Sequence, residues 1–123
     1  MTQKTILLIE DDKQFQNFVN EVLLAEEYRV LLAEDGSQGA AMIKEHNPDL
    51  IVTDLLMPHK DGVRLITETR ASHPHIPIIA MSGGSSFFSP AFLEAADTLG
   101  AAHTLNKPFA EEELLILVKK CLE

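Results

Sequence analysis

Short, unbroken apolar runs alternate with polar stretches of helical periodicity along the whole chain. The first run, Ile6 to Ile9, stops abruptly at Glu10-Asp11-Asp12. A run without polar interruption has the pattern of a strand buried on both faces. Phe15, Phe18, Val19, Val22 and Leu23 then recur at helical spacing, so a helix is expected just behind the acids. Tyr28 to Ala33 predicts the second strand, Asp35-Gly36 breaks it, and a short helix is expected over Ser37 to Glu45. Asn47-Pro48 ends that helix, because a residue before proline avoids the α region. The third strand, Asp49 to Thr53, closes on Asp54, and Met57-Pro58 with Asp61-Gly62 supplies loop chemistry. A helix carrying Val63, Leu65 and Ile66 is expected to close near Ser72, followed by a turn at His73-Pro74-His75. Pro77 to Met81 predicts a fourth strand that runs into Ser82-Gly83-Gly84-Ser85-Ser86. Pro90 suits the first turn of a helix ending at Leu99 before Gly100. A short strand, Ala102 to Leu105, leads to Asn106-Lys107-Pro108-Phe109. The last helix, Glu111 to Leu122, opens on three acids, favourable at the positive end of its dipole.

Five strands alternating with five helices predict one α/β domain over residues 1–123, a doubly wound parallel sheet covered on both faces. A length of 123 residues suits a single core. The chain shows no repeat, low-complexity segment or linker and closes on its last helix, so the expectation is a stand-alone domain without an attached output domain. The formal net charge of −9 argues against direct binding to nucleic acid, whose phosphates need basic neutralisation. The same charge suits a cation site. A single cysteine, Cys121, permits no internal disulfide and fits a reducing compartment. The opening apolar run is too short for a signal peptide or membrane span. A cytoplasmic protein without a membrane partner is therefore expected.

In a parallel sheet every strand's carboxyl end faces the same side, where open α/β sheets bind their ligands. That edge collects Glu10, Asp11 and Asp12, then Asp54, Ser82 and Lys107. Taken singly, each has an ordinary reading as a solvated helix start, a loop carboxylate, a turn serine or a surface lysine. Their coincidence at four strand ends in one short domain favours a shared site. Crowded carboxylates repel one another, and a hard divalent cation such as Mg²⁺ resolves the repulsion. In that reading Asp54 is a nucleophile toward phosphorus, Lys107 a compact positive charge beside it, and Ser82 a donor to a phosphoryl oxygen.

The stretches ILLIEDD, IVTDLLMPHKDG, IIAMSG and GAAHTLNKPF together resemble the receiver domain of two-component response regulators, over essentially the whole chain. The resemblance implies a flavodoxin-like fold with strand order 2-1-3-4-5 and phosphorylation of Asp54 by a histidine kinase or histidine phosphotransfer protein. It implies that Glu10 and Asp11 are the acid pair, with Asp11 a direct Mg²⁺ ligand and Asp12 a neighbour. The backbone carbonyl of Leu56 would be a further ligand, Ser82 the hydroxyl residue, Lys107 the family's lysine, and Pro108 the proline that commonly follows a cis peptide bond. The output would be binding to a downstream protein target, with no catalysis beyond the domain's own phosphoryl acceptance and loss. Two features depart from the family pattern. Thr104 stands where Tyr or Phe is frequent, which puts the usual aromatic switch in doubt. The stretch from Ser82 to Gly100 also looks about three residues longer than is common.

Three rival readings fit less well. A haloacid dehalogenase-type phosphatase carries Asp-x-Asp on its nucleophile, but Leu56 follows Asp54 at two residues. A flavodoxin-like cofactor module needs a phosphate-holding loop where this chain has Glu10-Asp11-Asp12. A receiver that is never phosphorylated would not need the complete charged set. The five histidines show no metal-ligand spacing, and Phe15 and Phe18 are expected in the core. Leu114 to Val118 is apolar at every position, so part of that run is open to a partner or to neighbouring helices, as is Phe87 or Phe88 in the loop from Gly83 to Pro90.

Overall fold

Segments apolar on both faces are stable only inside a sheet that is itself covered on both sides. In the computed structural model, which describes residues 3–55, 62–82 and 103–123, the apolar runs pair in that way. The elements are β1 (Thr5–Ile9), α1 (Lys13–Ala25), β2 (Arg29–Ala33), α2 (Gly36–His46), β3 (Leu50–Asp54), α3 (Gly62–Ser72), β4 (Ile78–Ser82), β5 (His103–Asn106) and α4 (Glu111–Leu122). All strand pairings are parallel, in the order β2-β1-β3-β4-β5. This is the α/β architecture expected from the pattern of apolar runs, with the strand order that the resemblance implied. Four helices lie among the described residues, and the helix expected over 90–99 lies outside them.

Alternation along each strand sends residues to opposite faces. Leu7, Ile9, Ile51, Ile78 and Ala80 pack with Ile43 of α2 and with Leu65 and Ile66 of α3. Ile6, Leu8, Leu50, Val52, Ile79 and Met81 pack on the other face with Val19, Val22 and Leu23 of α1 and with Leu114 and Val118 of α4. The central strands β3 and β4 are buried at every position, so any polar group at their carboxyl ends starts out desolvated.

Boundaries shift slightly from the sequence expectation. β4 begins at Ile78, although the Pro77 carbonyl still accepts from the Ile51 N–H at 3.1 Å. β5 runs one residue further than expected, to Asn106, which pairs with Ser82. Asn47 ends α2 in the left-handed region, φ 46°, a conformation asparagine tolerates better than most side chains.

One surface reading is corrected, and one left open by the sequence is resolved. Phe18, expected in the core, is 36% exposed. The buried stripe of α1 is Gln16, Val19, Val22 and Leu23, and Phe18 falls on its flank. There it joins an aromatic group with Phe15 and Phe109, ring centroids 5.7 and 6.3 Å away. The apolar run of α4 resolves into a stripe: Leu114 and Val118 are buried one turn apart, and Ile116 is 56% exposed.

Candidate functional site

β1 and β3 are adjacent, so their carboxyl ends bring Glu10 and Asp54 together, and β5 delivers Lys107 from the far side of β4. The three acids after β1 have separate fates. Asp12 caps α1, its Oδ1 accepting from the N–H groups of Gln14 at 3.0 Å and Phe15 at 3.3 Å. This is the usual work of an aspartate at a helix start. Asp11 is exposed, whereas Glu10 is fully buried. Carboxylate oxygens of Glu10, Asp11 and Asp54 lie within 4.8 Å of one another.

Backbone and side-chain contacts hold this arrangement. Buried Gln16 donates through Nε2 to the carbonyls of Glu10 at 3.1 Å and Ala33 at 3.4 Å, tying the ends of β1 and β2 to α1. The Asp12 N–H donates to Glu10 Oε2 at 3.2 Å. On β3, the Gly62 N–H donates to the Leu55 carbonyl at 2.8 Å, drawing the start of α3 against the strand end. A Cβ at residue 62 would stand 2.2 Å from the Asp54 carbonyl oxygen, so only glycine permits that approach.

Lys107 supplies the site's positive charge. Its Nζ bonds Glu10 Oε1 and donates to Asp54 Oδ2 at 3.2 Å. The same ammonium lies 4.3 Å from the centroid of the Phe15 ring, whose face attracts a cation. Phe15 in turn meets Phe109 edge-on at 5.3 Å. The Lys107-Pro108 bond between these groups is cis, as the resemblance implied. Asp54 is 6% exposed, and its Oδ1 is buried without a hydrogen-bond partner among the described residues. Burial pushes the Glu10 carboxyl up to about 7; the Lys107 hydrogen bond opposes the rise and the charge of Asp54 adds to it.

Ser82, 2% exposed, ends β4 beside this group, and its Oγ donates to Asn106 Oδ1 at 2.8 Å. The Lys107 N–H donates to the Ser82 carbonyl at 2.9 Å, which fixes the two strand ends against each other. Glu10, Asp11, Asp54 and Lys107 thus converge as the sequence suggested, and Ser82 lies at the neighbouring strand end. Leu56, and the loop with Phe87 and Phe88, lie outside the described residues. Sequence reasoning missed Gln16, Phe15 and Asn106 as parts of the site. Gln16 left one signal, a polar residue inside the apolar stripe of α1.

The fold is thus a doubly wound parallel sheet whose carboxyl edge gathers three acids and a lysine into one charged site. The chain matches the response regulator receiver domain family over residues 6–119, and it belongs to that family. It is 34% identical over 117 residues to the transcriptional regulatory protein CpxR of Klebsiella pneumoniae, covering 95% of this chain and 48% of that one. It is 37% identical over 112 residues to the transcriptional regulatory protein KdpE of Staphylococcus aureus, covering 91% of this chain and 47% of that one. The chain therefore spans about half the length of the curated relatives it matches. Among solved structures, a CheY-like receiver domain protein from Methanospirillum hungatei superposes with a TM-score of 0.91 at 25% identity, covering 98% of this chain and 94% of that one. The receiver domain of the Francisella response regulator 1452 gives 0.88 at 28% identity, covering 98% and 97%. Among the described residues no helix is long and apolar enough to cross a membrane.

Proposed function

We propose that this receiver domain accepts a phosphoryl group on Asp54 from a histidine kinase or histidine phosphotransfer protein, with Mg²⁺ as cofactor. The observation that carries the reading is Asp54 Oδ1, a buried oxygen without a hydrogen-bond partner among the described residues, on the carboxylate whose Oδ2 accepts from the Lys107 ammonium. A buried carboxylate oxygen left unpaired is destabilising unless a ligand completes it. Its neighbours are carboxylate oxygens, the donor set of a hard cation, and they lie close enough to share one ion. Glu10, Asp11 and Asp54 would hold the metal, with the Leu56 carbonyl as a further ligand. Bound there, Mg²⁺ would offset negative charge on the phosphoryl oxygens.

The chain's own residues then perform the transfer. A carboxylate oxygen of Asp54 attacks phosphorus as the bond to the donor's imidazole nitrogen breaks, forming an aspartyl phosphate. Lys107 stabilises the charge on the transferred group, and Ser82 donates its hydroxyl proton to a phosphoryl oxygen. Loss of the group to water returns the carboxylate and inorganic phosphate. No other substrate is turned over in this reading, so the domain is a phospho-acceptor and not an enzyme. The phosphorylated domain changes its affinity for a downstream protein. Relatives named as transcriptional regulators are about twice as long, and here the net charge of −9 favours protein contact over direct contact with nucleic acid. The single cysteine, a free thiol, is consistent with a cytoplasmic setting.

The test is incubation with a small phosphodonor and Mg²⁺, followed by intact mass. One added phosphoryl group, absent without Mg²⁺ and lost in mild base, is the expected result. A protein that gains no mass under any donor and metal condition overturns the reading.

A further inference from the structure

The hydroxyl of Ser82 has one proton to give. In this structure it is given to Asn106 Oδ1 at 2.8 Å, on the adjacent strand at the position in register with Ser82. A phosphoryl group on Asp54 asks for the same proton. Both demands cannot be met at once, because the second donation requires the first bond to break or the hydroxyl to turn away.

We propose that Asn106 is a positioning residue that holds the Ser82 hydroxyl out of the phosphoryl site and so sets how readily the domain enters its phosphorylated state. The inference rests on phosphoryl acceptance at Asp54. Three observations support it. Ser82 is 2% exposed, so bulk water does not compete for its proton, and among the described residues its side chain bonds Asn106 alone. The backbone beneath the pair is fixed, since the Lys107 N–H donates to the Ser82 carbonyl at 2.9 Å. The two side chains can therefore part without the strands moving. Asn106 itself is exposed, so its side chain has a solvated state available when the bond is released. The bond is internal to the acceptor domain, and its strength subtracts directly from the gain that Ser82 makes on reaching a phosphoryl oxygen.

The direction of the effect separates this role from general support of the site. Damage to a supporting residue weakens phosphoryl binding, whereas removal of a competing acceptor strengthens it. With Mg²⁺ and beryllium fluoride as the phosphoryl mimic, Asn106→Ala should bind the mimic about fivefold more tightly, the factor carried by one ordinary hydrogen bond. The gain should vanish in a Ser82→Ala background, because the competition no longer exists there. In the ligand-free protein the same cycle reads the bond itself. Asn106→Ala should lower the melting midpoint when Ser82 is present and leave it unchanged in the Ser82→Ala background. Unchanged or weaker binding of the mimic by Asn106→Ala overturns the inference, as does an equal gain in both backgrounds. If the unaltered protein neither binds the mimic nor gains a phosphoryl group, the underlying reading of Asp54 fails instead.

Discussion

The close approach of α3 to the end of β3 gives the sharpest stability prediction. Gly62→Ala adds one methyl group whose carbon would stand 2.2 Å from the Asp54 carbonyl oxygen and 2.6 Å from Leu55 Cα. Both neighbours are backbone atoms, so no side chain can swing aside. Relief requires α3 or the end of β3 to move by about 1 Å, since contacts tighter than van der Waals distance are resisted steeply in a close-packed interior. Overpacking of this kind costs about 3 kcal/mol, the upper end of its usual range. That is a large share of the roughly 5–15 kcal/mol that holds a domain folded. For a domain of this size the melting midpoint should fall by about 10 °C. Circular dichroism melts of the two proteins measure it. The displaced atoms belong to Asp54 and Leu55, so phosphoryl acceptance should slow even at temperatures where the variant stays folded. A midpoint within about 2 °C of the parent, roughly the effect of one small interaction, would show that the approach is looser than described.

Other consequences follow from the site. Asp54→Asn should abolish base-labile phosphorylation, and full labelling of that variant by intact mass would sink the assignment. Glu10 has its carboxyl raised from 4.5 to about 7, so the folded state binds the extra proton across that interval. In the metal-free protein its contribution to stability is present below pH 4.5 and lost as pH rises through 7. Glu10→Gln removes this slope, so the gap between the two melting curves should change between pH 4.5 and about 7, and parallel curves would refute it. Replacing both Glu10 and Asp11 with Ala should weaken Mg²⁺ binding strongly while leaving the domain folded, as followed by metal titration and a melt. Thr104→Ala should leave phosphorylation-dependent partner binding nearly intact, because a short β-branched side chain cannot swing a ring between two positions; a large loss in a pull-down with a phosphorylation-dependent partner would contradict this.

The sequence alone determined the elements and the edge that carries the chemistry. Apolar runs and helical spacing are local signals, and they located every described strand and helix to within a few residues. Parallel pairing follows from strands alternating with helices, so the carboxyl-end residues could be gathered on one edge from their order along the chain. The particular contacts were decided by tertiary structure. Glu10 and Lys107 meet across 97 residues of chain, a contact set by strand order and not by any local pattern. The division of Glu10, Asp11 and Asp12 into a buried partner, an exposed ligand candidate and a helix cap depends on how α1 leaves the sheet. Phe18 reads as core by spacing, yet it stands on the flank of the buried stripe, where spacing alone does not say how far the neighbouring helix reaches. Ser82 and Asn106 are 24 residues apart and face each other only because β4 and β5 pair in one register. Periodicity reports which face of an element is buried; which neighbour covers it, and which polar groups that neighbour brings, is a property of the assembled sheet.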